Sequence, residues 1–235
     1  MQIKNSVVLV TGANRGLGQA FVNALLEAGA AKIYAAARDP GSITLKGVTP
    51  IKLDVTNAAD IAAAAKQCTD LTLLINNAGI SRGSSFLAAG SADAARAELE
   101  THFFAPLALS QAFAPILKAN GGGAIVNVLS VLSWLNIAPV ATYSASKAAA
   151  WSLTNGLRGE LRAQGTQVVG VHVGYMDTDM ARDVPGPKTS PLDVARQTLA
   201  ALEAGKDEVL ADELSRNVKQ GLSAEKAVYL GAATE

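Results

Sequence analysis

Tyr143 and Lys147 lie four residues apart in "TYSASKAAAWSL", near the start of a segment with helical spacing, so a helix there sets both on one face. A phenol with a pKa of about 10 is a poor acid or base at neutral pH. A nearby ammonium favours the phenolate and lowers that pKa, which would make the pair a proton-transfer device. A Tyr-x-x-x-Lys pair alone is common and carries no function. Upstream, however, "NVLSVLS" closes a β-branched run, and Ser130 stands at its carboxyl edge. Ligands of open α/β sheets bind beyond the carboxyl ends of the strands. Ser130 and Tyr143 can therefore share one crevice.

A third group is less readily placed. "ELETHFFAPLALSQAF" reads as a mostly apolar helix, yet it carries His102, one of two histidines in the chain. Its imidazole could fill a core site, ligate a metal or take part in a reaction. Cys68 is the only cysteine, so no intrachain disulfide can form, and with two separated histidines a metal site lacks partners. Cys68 itself reads as filler between a helix and a strand.

The elements that must hold these groups begin with a glycine loop. The first apolar run leads directly into "TGANRGLG", from Thr11 and Gly12 through Asn14, Arg15, Gly16 and Leu17 to Gly18. Glycines there permit a tight strand-to-helix turn and let the backbone approach a pyrophosphate, which the helix amides and dipole favour. The second strand ends "AAARD". Where an acid would hold an NAD ribose there is Ala37, followed by Arg38. Two guanidiniums, Arg15 and Arg38, suit a 2′-phosphate, so the expected cofactor is NADP(H).

Seven short runs, "SVVLVTG", "AKIYAAAR", "TPIKLDV", "LTLLINNAG", "AIVNVLS", "QVVGVHVG" and "DEVLAD", read as strands covered on both faces. Amphipathic segments such as "GQAFVNALLEAGA" and "PLDVARQTLAALEAG" alternate with them. The expected fold is α/β: a single-domain Rossmann fold over residues 1–235, with a doubly wound seven-stranded parallel sheet and helices on both faces. "RDVPGPKTSP" (182–191) reads as a loop within it. Lys plus Arg and Asp plus Glu balance at 20 each, so there is no basic field for nucleic acid or an anionic membrane. No apolar run has transmembrane length, and "MQIKNSVVLVTG" lacks a signal-peptide layout. A cytoplasmic location is the expectation.

Taken together and in order, these motifs resemble the short-chain dehydrogenase/reductase family over nearly the whole chain. "TGANRGLG" resembles its glycine motif, "LDV" its adenine-side motif, "NNAG" its fourth-strand motif, and Ser130 with "YSASK" its catalytic residues. "GYMDTDM" is similar to its nicotinamide-side segment, with Val173 where the family usually has proline. The resemblance implies that Tyr143 exchanges a proton with the substrate oxygen and that Ser130 orients that oxygen. Lys147 would bind the nicotinamide ribose and lower the Tyr143 pKa. Asp54 and Val55 would flank the adenine, and Asn76, Asn77, Ala78 and Gly79 would line the cofactor channel. Gly174, Met176 and Thr178 would hold the carboxamide. The family carries an asparagine where this chain has His102, and that asparagine helps hold a water passing protons towards the lysine. His102 is accordingly expected to serve in a proton relay.

The implied activity is that of an NADP-dependent carbonyl reductase or alcohol dehydrogenase. Residues 80–90, 131–142 and 175–190 should border the substrate. Leu132, Trp134, Tyr175 and Met180 among them point to a hydrophobic or bulky ketone or aldehyde. Apolar residues on the helices of His102 and Tyr143, including Phe103, Phe104, Leu107, Trp151 and Leu153, make a homodimer or homotetramer the expectation. An acyl-carrier ketoreductase or an epimerase could use the same groups. A dinucleotide-binding regulator without chemistry could dispense with Ser130, Tyr143 or Lys147, and this chain has all three.

Overall fold

The computed structural model describes residues 1–231. Each of the seven expected runs forms a strand: β1 Val7–Thr11, β2 Lys32–Ala37, β3 Thr49–Lys52, β4 Leu73–Asn76, β5 Ala124–Val128, β6 Gln167–His172 and β7 Glu208–Leu210. They make one sheet in the order β3-β2-β1-β4-β5-β6-β7, and every neighbouring pair is parallel. The chain reverses its direction of travel between β1 and β4, which puts a topological switch point, and hence a crevice, at their carboxyl ends.

Alternation along the strands divides the core in two. Val8, Val10, Leu73 and Ile75 face a layer that contains α1 (Gly16–Glu27), through Phe21 and Leu25, and α6 (Pro191–Glu203), through Val194 and Leu202. Leu9 and Leu74 face the other layer. There α2 (Ala58–Gln67), α4 (Ala105–Ala119) and α5 (Ala141–Leu161) contribute Ile61, Phe113 and Leu157. Cys68 lies in that second core, where burial pushes its thiol up to about 12 and leaves it inert at neutral pH. A smaller cluster of Val131, Trp134 and Val218 seats α7 (Glu213–Gly221) beneath the segment that follows β5.

One element departs from the sequence expectation. The helix through His102 is not a uniform α-helix: α3 (Ser91–Leu99) runs into a π-turn at Glu100–Phe104 before α4 resumes. Pro106 supplies the reason. It has no N–H to return to the carbonyl four residues back, which is that of His102, and its ring crowds the same carbonyl. Widening the turn relieves the crowding, as π-bulges at functional sites often do. The Ala105 N–H bonds instead to the Glu100 carbonyl, five residues back.

Candidate active site

The glycine loop joins β1 to α1. Gly12 and Gly16 adopt φ of +63° and +53°, a region side chains rarely occupy. A Cβ on Gly18 would stand 2.0 Å from the Gly12 carbonyl oxygen. Arg15 occupies the N-cap position of α1 with no side-chain cap, so protein side chains leave the first helix amides open to an anion. Leu17 turns its side chain into the core, and only its backbone faces the loop.

Thr11 and Asn77 build the wall beside this loop. The Thr11 hydroxyl accepts the Asn77 and Ala78 N–H groups at 2.9 and 3.0 Å, and donates to the Ile75 carbonyl at 3.3 Å. The Asn77 amide donates to the Thr11 carbonyl at 2.8 Å. Both side chains thus pin "NNAG" to the glycine loop rather than reach outward. Asn76 is buried and donates to Asn127 at 2.8 Å, which in turn donates to Thr154 at 3.0 Å.

On the adenine side, Ala37 is buried at the end of β2 while Arg38 projects exposed. Asp54 spends one carboxylate oxygen on the Thr56 N–H and hydroxyl, and Val55 packs in the core. Thr178 lies against Gly16, its methyl 3.4 Å from where a Cβ would be. Beside it Arg15 pairs with Asp179 at 3.2 Å, and Asp179 also holds Arg182. Tyr175 and Met176 are pinned through Thr189, whose N–H reaches the Tyr175 carbonyl at 2.9 Å. The Gly174 N–H donates to Asp212 at 2.6 Å, and the same carboxylate caps α7.

Beyond β5, Ser130, Tyr143 and Lys147 are brought together. The Ser130 hydroxyl oxygen accepts the Leu132 N–H at 3.1 Å. Tyr143 is half-buried, and burial pushes its phenol up to about 12. Interaction with the Ser130 hydroxyl pulls in the opposite direction, and the Glu98 carboxylate raises it further. Lys147 directs its Nζ to the Val128 carbonyl at 2.9 Å and lies 5.6 Å from the centre of the Tyr143 ring. Burial lowers it to about 8. Among the protein's own groups, desolvation is thus the largest influence on the phenol, and it opposes the lowering expected of a nearby ammonium.

His102 is buried and fully engaged. Its Nε2 accepts the Ile80 N–H at 3.1 Å, which fixes the proton on Nδ1; that N–H faces the Ser146 hydroxyl at 2.8 Å. Ser146 passes its own hydrogen to the Tyr143 carbonyl at 2.7 Å. The ring meets Tyr143 edge-on at 5.3 Å between centroids, and burial with the Lys147 charge keeps it neutral. With Nδ1 protonated and Nε2 accepting, the ring cannot gain or lose a proton without breaking one of these bonds. Through these bonds His102 is a brace that ties the loop after "NNAG" to the helix of Tyr143. A cavity of about 10 Å³, roughly one water, lies between His102, Pro106, Asn76 and Lys147.

His102→Ala should leave Ile80 N–H and Ser146 without their partner, costing about 1–3 kcal/mol in denaturant melts and lowering turnover with it. His102→Asn, which keeps one donor and one acceptor, should restore most of both. Equal stability in His102→Ala would remove the brace.

Among the expected substrate residues, Tyr175 and Met180 are exposed and Leu132 is half-buried, while Phe86 and Leu87 add exposed apolar surface in the 80–90 segment. Trp134 is a correction. It lies buried in the small cluster, stacked on His172 at 3.8 Å and edge-on to Trp151, because its ring finds an aromatic partner on β6 that covers it from solvent. Asp212, Glu98 and His172 were not singled out in the sequence. A polar ring at the end of the apolar run "VVGVHVG" was the available sign for the last of these.

A doubly wound sheet, an anion-ready glycine turn at its switch point, and a buried Ser-Tyr-Lys group beyond β5 together define a dinucleotide-dependent oxidoreductase architecture. The profile described as short chain dehydrogenase matches residues 6–188, and the chain belongs to that family. It is similar to a solved short chain dehydrogenase from Burkholderia cenocepacia in complex with NADP. That match has 45% identity and a TM-score of 0.92, and covers 96% of this chain and 95% of the other. Dehydrogenase/reductase SDR family member 7B of Bos taurus is 32% identical, over 90% of this chain and 75% of that protein. The 3-oxoacyl-[acyl-carrier-protein] reductase FabG of Vibrio cholerae is 31% identical, over 88% and 85%. No helix among the described residues is long and apolar enough to cross a membrane.

The residues present fit the dinucleotide that the family implies. Gly18 lets the turn close directly on the Gly12 backbone, where no Cβ would fit, and no side chain caps the first amides of α1.

Proposed function

We propose that the chain interconverts a hydrophobic or bulky ketone or aldehyde and its alcohol with NADP(H). The observation that carries this reading is the convergence of Ser130, Tyr143 and Lys147 beyond β5, at the carboxyl edge of the sheet that also bears the glycine turn. When bound, the dinucleotide supplies or accepts the hydride. Ser130 directs its hydroxyl to the substrate oxygen and fixes the carbonyl's orientation. Tyr143 gives its phenolic proton to that oxygen during reduction and takes it back from the alcohol in oxidation. Lys147, tethered at Val128, would hold the nicotinamide ribose and places positive charge near the phenolate as it forms. With the dinucleotide bound, Asp54 and Val55 would flank the adenine, Asn76, Asn77, Ala78 and Gly79 would wall the channel, and Gly174, Met176 and Thr178 would hold the carboxamide.

Arg15 and Arg38, with Ala37 in place of an acid, support NADP(H) over NAD(H). The NADP complex of the Burkholderia relative supports the same choice. The exposed side chains of Phe86, Leu87, Tyr175 and Met180 support apolar substrates. Coenzyme oxidation over aldehydes, sugars and aryl, alkyl and bulky ketones tests both points. Aryl and bulky ketones should be reduced faster than sugars, and NADPH should be used in preference to NADH. Arg15→Ala with Arg38→Ala should erase that preference by about tenfold or more, the worth of charge-assisted contacts to a phosphate. Equal rates with sugars, or an unchanged preference in the double variant, would defeat the respective assignment.

Similarity to the FabG reductase favours one second reading, reduction of a carrier-bound 3-oxoacyl thioester. Turnover of an acetoacetyl thioester well above every free ketone would select it. We further propose a homodimer or homotetramer, supported by Phe104, half exposed on the His102 helix. Trp151 and Leu153, also expected at an interface, pack instead against Trp134 and the core. Sedimentation of the purified chain should show more than one copy; a monomer at micromolar concentration would rule the assembly out.

A further inference from the structure

Ser130 is held by more than its own turn. Its N–H reaches the Ser133 hydroxyl at 3.3 Å, and its carbonyl faces Nδ1 of His172 at 3.2 Å. A carbonyl has no hydrogen to give, so the proton must sit on His172 Nδ1, leaving a lone pair on Nε2. That nitrogen is buried without a hydrogen-bond partner. The nearest acid, Glu208, stands 3.7 Å away and is itself held by Lys219 at 2.9 and 2.8 Å. The His172 ring also carries Trp134 on its face, at 3.8 Å and 16° between planes. Trp134 lies four residues past Ser130. One side chain at the end of β6 therefore grips the serine segment twice, by an N–H to its first carbonyl and by a stacked ring to its far end.

We propose that His172 is a positioning residue for Ser130, its Nδ1–H fixing the Ser130 peptide so that the hydroxyl points at the substrate oxygen. This rests on the reading of Ser130 as the group that orients that oxygen. Strand β6 lies between β5 and β7, with His172 in register with Leu210. The N–H groups on either side of Ser130, those of Leu129 and Val131, bond to the Val171 and Val173 carbonyls of the same stretch. His172 thus adds a side-chain anchor where the serine segment already follows β6. Burial lowers the imidazole to about 4; the hydrogen bond to the Ser130 carbonyl and Glu208 oppose it, and Lys219 and Arg158 add to it. The neutral Nδ1–H form thus holds throughout neutral pH.

Two substitutions separate the grips. His172→Phe keeps a ring for Trp134 and removes the N–H. His172→Asn places an amide N–H near Nδ1 and removes the ring. With NADPH and the fastest ketone of the panel, His172→Phe should lower kcat about tenfold, the scale of a small misplacement at a reacting centre, with the NADPH Kd unchanged. His172→Asn should recover most of kcat while melting at a lower temperature. In a Ser130→Ala background, His172→Phe should cost little more. The proposal is overturned if His172→Phe keeps kcat within about twofold of wild type while Ser130→Ala is impaired, or if the two losses multiply. Wild-type kcat in Ser130→Ala overturns it together with the reading beneath it. A readout without turnover is the ¹⁵N spectrum of the histidine ring, assigned by its loss in His172→Asn. From about pH 6 to 8, Nδ1 should be protonated and Nε2 bare. The opposite tautomer, or a titration in that range, would also overturn it.

Discussion

Tyr143→Phe should abolish turnover while leaving the dinucleotide site intact. The phenyl ring keeps the shape of the side chain and its edge contact with the His102 ring at 5.3 Å, so neither the helix nor the brace loses packing. What disappears is the one hydroxyl able to exchange a proton with the substrate oxygen. General acid–base groups contribute about 10²–10⁴-fold, and kcat should fall by that range while NADPH affinity stays within about twofold. The pH dependence carries a sign. With the phenol pushed up to about 12, reduction should not lose its proton donor across neutral pH, whereas alcohol oxidation, which needs the phenolate, should rise as pH rises. Lys147, lowered to about 8, loses its charge over the same climb and should flatten the top of that rise. Retained turnover in Tyr143→Phe would remove Tyr143 from the chemistry.

Gly18→Ala carries the second large effect, and here two trends oppose each other. Within a helix, alanine is favoured over glycine by about 1 kcal/mol. At this position the added Cβ would lie 2.0 Å from the Gly12 carbonyl and 2.7 Å from the Asn77 amide. The obstacle is backbone, which cannot swing aside as a flexible side chain can. Overpacking of this kind costs about 1–3 kcal/mol, so the clash wins. Relief requires Gly12 to move, and with it the turn that presents the α1 amides to a pyrophosphate. NADPH affinity should fall about tenfold to a hundredfold, a loss in proportion to that energy, read by fluorescence titration. The melting temperature should fall as well. An unchanged Kd would mean that this loop does not hold the dinucleotide.

How much of this was legible in the sequence depends on the range of the interaction. The strands were readable because both faces of a parallel sheet are buried, so runs such as "VVLVT" are apolar throughout and need no partner to be recognised. Ser130, Tyr143 and Lys147 were readable because helix spacing and a strand end place them without tertiary knowledge. The π-turn escaped because a proline early in a helix normally marks a start, and the preceding turn gives no local sign of widening. Desolvation of Tyr143 and Lys147 escaped for a different reason. It is a property of everything packed around the pair, and it opposes the lowering expected of the phenol. His102 lay between these cases: its position was readable, but its partners Ile80 and Ser146 come from two other segments, which the ring ties together. Trp134 looked like a substrate contact for want of any view of His172, 38 residues away in the chain.

The reaction itself is tested most directly by stoichiometry: NADPH consumed against alcohol formed by the wild-type chain, from the best ketone of the panel. One alcohol should appear for each NADPH oxidised, and neither change should be measurable with Tyr143→Phe under the same conditions. NADPH bound by the wild-type chain yet neither consumed nor matched by alcohol, across every ketone and aldehyde offered, would contradict an oxidoreductase acting on carbonyl groups through Tyr143.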